Sequence, residues 1–131
     1  MAVVFTKHTP NLVVSNLARS LAFYRDLLGF SVVVTVPDEA PYVFALLQRD
    51  GVELFLNDVK EAQKEGGHAS LEAGKSGVSL YFDVTGIHAL LAALKGKVPI
   101  VMPLERKFYG VTEFAITDPD GYLITFAERL D

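Results

Sequence analysis

Two stretches seventy residues apart repeat one another: Phe44–Leu56 reads FALLQRDGVELFL and Phe114–Phe126 reads FAITDPDGYLITF. They align without a gap, Phe44 on Phe114, Ala45 on Ala115, Leu46 on Ile116, Asp50 on Asp120 and Gly51 on Gly121. In each, strand-like residues flank an Asp-Gly pair, which supplies the positive φ angles of a tight hairpin turn. A chain that builds one hairpin twice is constrained to two copies of a larger unit. Two copies are too few for a solenoid, so the expected solution is a pair of modules sharing one architecture.

The segments ahead of the hairpins repeat as well. Asn11–Val14 reads as a short strand. Asn16–Phe30, NLARSLAFYRDLLGF, carries Leu17, Leu21, Tyr24 and Leu28 at helical spacing, with Asn16 as N-cap and Gly29 as stop. The Val-rich SVVVTVP follows as a strand. In the second copy, Gly77–Val84 predicts a strand. TGIHALLAALKGK has Ile87, Leu90, Leu91 and Leu94 at i, i+3, i+4 and i+7, with Gly96 as stop. VPIVMP reads as a short strand, and Gly110–Ala127 holds the second hairpin, turning at Asp120-Gly121. Each half therefore reads strand–helix–strand–strand–strand. The expected fold is α+β, two paired βαβββ modules forming a curved, cleft-shaped mixed sheet with helices on its outer face. Residues 1–131 are expected to make a single domain, with module one at about 9–57, a connector at about 58–76 and module two at about 77–128. The connector is charged and Gly-rich, which fits a solvated loop with some helix at its start.

Composition excludes several functions. With no cysteine, neither disulfides nor thiolate metal sites operate, and a reducing cytoplasm is the expected compartment. No run reaches membrane-spanning length, and MAVVFTKH lacks the apolar core of a signal peptide. A net charge of −4, from 12 basic and 16 acidic residues without a basic cluster, argues against nucleic acid and favours a neutral or cationic small molecule. Catalytic triads and phosphate loops are missing: there is no G-x-S-x-G and no Gly-rich strand-to-helix turn.

Strand alternation divides the side chains into two faces. Leu54 and Leu56, Leu80, Phe82 and Val84, and Tyr122, Ile124 and Phe126 make an apolar set expected to meet the helices, burying Leu17, Leu21, Leu90 and Leu94. The opposite set holds Glu53, Phe55 and Asn57, Ser79, Tyr81 and Asp83, and Leu123, Thr125 and Ala127. Aromatic walls with a few polar groups are the composition of a small-molecule cleft. The bland alternative is a solvent-facing sheet surface; Phe55 and Tyr81 are large for that role.

NLVVSNLARSLAFYRDLLGF at the front and EFAITDPDGYLITFAE at the back resemble the vicinal oxygen chelate superfamily, across essentially the whole chain. That superfamily groups glyoxalase I, extradiol dioxygenases, fosfomycin resistance enzymes and bleomycin resistance proteins. LLQRDGVELFLNDV, and YGVTEFAITDPDGYLITFAE with its Tyr109-Gly110 pair, are most similar to the bleomycin resistance branch. In metal-using members each module gives two ligands, usually His, Gln or Glu, to one divalent ion. By the resemblance those positions fall at Thr9, at Glu53 or Phe55, at Ser79 and at Thr125. Three neutral hydroxyls make a poor ligand set, since an alcohol stays protonated at neutral pH. His8 would enter only through a one-residue slip, which turns a strand residue to the other face. His68 and His88 read as surface residues.

The resemblance therefore implies a binding protein with no metal, no cofactor and no catalytic residues, sequestering a cationic or aromatic antibiotic-like ligand, as in antibiotic resistance. The ligand-binding residues would be Glu53, Phe55, Ser79, Tyr81, Asp83, Tyr109 at the rim, and Thr125. Glu113 reads as structural, tied to a neighbouring backbone or basic group. The alternative is a metal-dependent lyase or dioxygenase-like enzyme of the same superfamily. The resemblance further implies a homodimer. Pro10 would serve as the hinge of an exchanged N-terminal arm bearing the apolar AVVF; the competing expectation is a frayed terminus.

Overall fold

The computed structural model describes residues 2–64 and 71–130. His68 lies outside the described residues. Two compact units divide the chain, Met1–Ala73 and Gly74–Asp131.

The first unit contains β1 (Asn11–Val14), α1 (Leu17–Ala22), β2 (Ser31–Val36), β3 (Phe44–Arg49), β4 (Val52–Asp58) and α2 (Val59–Gln63). The second contains β5 (Leu80–Asp83), α3 (Ile87–Leu94), β6 (Ile100–Lys107), β7 (Val111–Thr117) and β8 (Leu123–Arg129). The strands form two four-stranded mixed sheets of the same order, β1-β4-β3-β2 and β5-β8-β7-β6. In each, the strand before the main helix runs parallel to the last strand, and the remaining pairs are antiparallel. This is the α+β arrangement of two βαβββ modules that the pattern predicts.

Local signals explain most boundaries. Asn16 caps α1, its side chain accepting from the Arg19 N–H at 3.0 Å. The predicted helix does not stay α to its end. From Phe23 to Leu27 it widens into a π turn, the Leu28 N–H donating to the Phe23 carbonyl at 3.2 Å, before Gly29 closes it at a φ of 74°. Tyr24 and Leu28 are both buried, Tyr24 meeting Phe23 and Phe30 edge-on. Asp58 starts α2 by accepting from the N–H groups of Lys60 and Glu61, both at 3.1 Å. Helix α3 is capped from a distance: Glu128 on β8 accepts from Gly86 and Ile87, both at 3.1 Å. Those bonds, to Ile87 first, hold its carboxyl below the ordinary range.

The predicted apolar faces are the buried ones. Leu54 and Leu56 lie against α1, with Leu12, Val14, Ala45 and Leu47 on the same side of the first sheet. Beneath α3, Phe82, Phe114 and Phe126 pack ring on ring beside Ile116 and Ile124. Ile87 and Leu94 are buried, whereas Leu90 is only half-buried.

Three sequence expectations need correction. VPIVMP is not a short strand: β6 runs eight residues to Lys107, with register shifts on both sides of Met102 that take up Pro103. Strand β5 is shorter than predicted and leaves Ser79 ahead of it. The gapless alignment of the two hairpins also slips across the turn. Arg49 pairs with Val52 around Asp50-Gly51, at φ 48° and 83°, but Thr117 pairs with Leu123 across the loop Asp118–Tyr122. In that loop Asp118 Oδ1 accepts from the N–H groups of Asp120 and Tyr122, at 2.9 and 3.0 Å.

Candidate functional site

The remaining face of each sheet carries the polar and aromatic side chains. In the first unit, register brings Asn11, Phe55, Leu46 and Val34 into one row, and Val13, Asn57, Phe44 and Val36 into the next. Phe44 and Phe55 touch with ring centroids 5.3 Å apart. Asn57 donates to the Asn11 side chain. Pro10 ends the irregular segment before β1, its carbonyl accepting from the Phe55 N–H at 2.9 Å.

Glu53, predicted as a ligand group, is already engaged. Its Oε1 accepts from Lys7 Nζ at 2.5 Å and from the Thr9 hydroxyl at 3.4 Å, and its Oε2 from Gln48 at 2.8 Å. Lys7, then Gln48, holds the Glu53 carboxyl below the usual carboxylate range.

In the second unit, the row Tyr81, Thr125, Ala115 lies beside the row Asp83, Ala127, Glu113. Glu113 is only 4% exposed. Tyr81 reaches across β8 and donates to Glu113 Oε2 at 2.6 Å; Tyr109, in the turn before β7, donates to Oε1 at 2.9 Å. The small side chain of Ala127, directly between the two strands, leaves room for that reach. The rings are half outside, 50% exposed for Tyr81 and 53% for Tyr109, with Phe108 edge-on to Tyr109. The hydrogen bond to Glu113, with some burial, pushes the Tyr81 phenol up to about 12. Burial first, and the same carboxylate second, raises Tyr109. Asp83 faces Arg129 at 3.7 Å.

The predicted residues thus divide between the units. Tyr81 and Tyr109 converge on one acid, Thr125 is the cross-strand neighbour of Tyr81, and Asp83 sits one row further along. Ser79 is exposed. The residue sequence reasoning undervalued is Glu113. Its partners are two phenols, not backbone or a basic group. Alternation could have found it, because Glu113 lies one row from the Thr125 position, on the same face of β7 as Val111 and Ala115.

The metal positions implied by the resemblance supply the hydroxyls of Thr9, Ser79 and Thr125 and the carboxylate of Glu53. That carboxylate is occupied by an ammonium and an amide, and a divalent ion would have to displace both. The donor set does not fit such an ion. Among the described residues no group of three or more His, Asp or Glu side chains is arranged to hold a metal. His8 and His88 are exposed.

A sequence model of the Glyoxalase/Bleomycin resistance protein/Dioxygenase superfamily matches residues 6–126. No curated protein matches the chain. A solved protein of unknown function from Agrobacterium tumefaciens str. C58 is 27% identical, with a TM-score of 0.77 and 98% of each chain covered. TnmS3, an antibiotic binding protein from Streptomyces sp. CB03234, is similar at 17% identity and a TM-score of 0.75, again with 98% of each chain covered. A lactoylglutathione lyase from Agrobacterium tumefaciens is 18% identical at a TM-score of 0.69, covering 94% of this chain and 92% of its own. The last two show the fold alone, and they stand for different activities on it.

Proposed function

Because the chain belongs to the Glyoxalase/Bleomycin resistance protein/Dioxygenase superfamily, we propose that it binds a small molecule without a resident metal and sequesters a cationic or aromatic, antibiotic-like ligand. The observation that carries this reading is the pair of half-exposed rings, Tyr81 and Tyr109, anchored on the buried Glu113. Aromatic surface held in place by a buried acid is suited to a flat ligand and loses little side-chain freedom on binding. Phe55, less exposed than these rings, adds aromatic surface in the first unit, with Glu53 and Thr9 beside it, and Asp83 and Thr125 flank the rings in the second. That an antibiotic binding protein, TnmS3, has this fold is compatible with an antibiotic-like ligand class. The unsuitable donor set at Thr9, Glu53, Ser79 and Thr125 supports binding over metal-assisted chemistry.

The protein is further proposed to act as a cytoplasmic homodimer. Val3, Val4 and Phe5 support the dimer: all three are strongly exposed, ahead of Pro10, the proposed hinge. Among the described residues no helix is long and apolar enough to cross a membrane.

The test pairs elemental analysis with calorimetry. The purified protein should carry no stoichiometric Ni, Zn, Fe or Mn, and should bind a bleomycin-family compound or another cationic aromatic. One metal per chain that is lost in Glu53→Ala overturns the metal-free reading. Silence toward every such compound overturns sequestration.

A further inference from the structure

Charge on the second sheet's open face is unevenly compensated. Glu105 lies opposite Glu113 in the β6–β7 register and takes Lys107 Nζ at 3.3 Å. Asp83 has Arg129 at 3.7 Å. In the first unit Glu53 has Lys7. Glu113 differs: among the described residues no Lys or Arg lies within ion-pair distance of it, and its bonds are the two from phenols. It is also the most buried of these four acids. A buried carboxylate held only by neutral donors keeps an uncompensated charge, which is costly away from water.

The phenols pass that charge outward. Each phenol has one proton and two lone pairs, and both protons are committed inward to Glu113. What Tyr81 and Tyr109 offer a visitor is therefore acceptor capacity, polarised by the acid behind them. Phenols free to rotate would serve donors and acceptors alike; these two serve donors.

We propose that Glu113, acting through the outward lone pairs of Tyr81 and Tyr109, is the group that reads positive charge in the ligand, and that the site takes a planar amidinium or guanidinium carrying at least two N–H donors. Planarity follows from the surroundings: two acceptors fixed on one carboxylate match a forked donor, and the half-exposed rings give a flat cation faces to lie on. A carboxylate or phenolate ligand is repelled, because it would bring lone pairs to lone pairs beside a buried negative charge. The counter-charge thus passes from Glu53 and Asp83, which already have Lys7 and Arg129 as partners, to Glu113. This inference rests on the small-molecule reading above and narrows it to one chemistry.

The test uses three isosteric probes, benzamidinium, benzamide and benzoate, with the full chain and protein-detected NMR titration, since probes this small bind in roughly the millimolar range. Wild type should prefer benzamidinium over benzamide by about tenfold or more and leave benzoate unbound. Glu113→Gln should remove most of the cation's advantage, bringing the cation and the amide to within about twofold of each other. Should that variant fail to fold, wild type labelled with ¹³C-tyrosine decides. Benzamidinium must shift the Tyr81 and Tyr109 ring signals, assigned with Tyr81→Phe and Tyr109→Phe, more than that of buried Tyr24. Equal binding of cation and amide, a preference that survives Glu113→Gln, silent Tyr81 and Tyr109 signals, or no benzamidinium binding each overturns the inference. A bleomycin-family ligand that still binds then leaves the broader reading standing; loss of both sinks the two together.

Discussion

Tyr81 on β5 donates to Glu113 on β7 across the intervening strand β8, at 2.6 Å. The bond ties the first and third strands of the sheet order together by their side chains. It has a consequence in alkali. The folded phenol, raised to about 12, holds its proton more tightly than the unfolded one, whose ordinary value is 10. Its contribution to stability is present in full below pH 10 and is lost as pH rises through about 12. Ring-carbon NMR should find Tyr81 still protonated where an ordinary tyrosine has titrated. Glu113→Gln should lower its midpoint. A Tyr81 that titrates at the ordinary value removes the hydrogen bond from the account.

Acid should act through Glu128. Its carboxyl is depressed from the ordinary 4.5 by the Ile87 and Gly86 N–H groups, so its stabilising effect is present above that value and is lost as pH falls through the lower, folded one. Glu128→Gln should lower the thermal midpoint at pH 7, and the gap to wild type should narrow toward pH 3. A constant gap across that range would mean that packing, not the charged cap, is lost.

Gly74 admits no side chain. Its φ is +72°, and a Cβ there would lie 1.9 Å from the Asp120 carbonyl oxygen. Gly74→Ala should destabilise the protein by about 1–3 kcal/mol in urea unfolding, through backbone strain and displacement of the Asp118–Tyr122 loop. A neutral Gly74→Ala would show that the loop yields freely.

Lys7 competes with any cation for Glu53. Lys7→Ala should raise the Glu53 pKa toward its ordinary value, since Lys7 is the first cause of its depression. If Glu53 contacts the ligand, the same change should strengthen binding of a cationic aromatic several-fold at low salt and less at high salt. Calorimetry at two ionic strengths checks this.

Light scattering should give a dimer at micromolar concentration. Deleting residues 2–5 should weaken it if the arm is exchanged. A dimer indifferent to the deletion would reject the exchange alone, and a monomer would reject both.

Where physics is local, the sequence was readable. Asp50-Gly51 and Asn16 announce a turn and a cap through their own backbone and side-chain preferences. The alternation of Leu54 and Leu56 against Glu53 and Phe55 follows from strand geometry. The parallel pairing repeats faithfully too: Asn11 faces Phe55, and seventy residues on Tyr81 faces Thr125. What escaped depends on partners distant in sequence. Lys7 and Glu53, or Tyr81 and Glu113, meet only once strand order is known, and nothing in a run of letters gives it. The π turn escaped because Tyr24 and Leu28, four residues apart, fit an ordinary α turn equally well.

The two hairpins also teach something about parity. The turn between β3 and β4 spans Asp50-Gly51, an even count, and the one between β7 and β8 spans Asp118–Tyr122, an odd count. Phe44 consequently stands on the same side as Phe55, while Phe114, its match in the aligned letters, lies in the core against Phe126. If the loop lost one residue yet kept its five-residue form, with β8 held in place, β7 would slide by one and invert, driving Glu113 inward and Phe114 out. The chemistry displayed by that sheet is therefore hostage to an integer, and a descendant of this chain could exchange a buried acid for a phenyl ring without altering one letter of the strand that carries both.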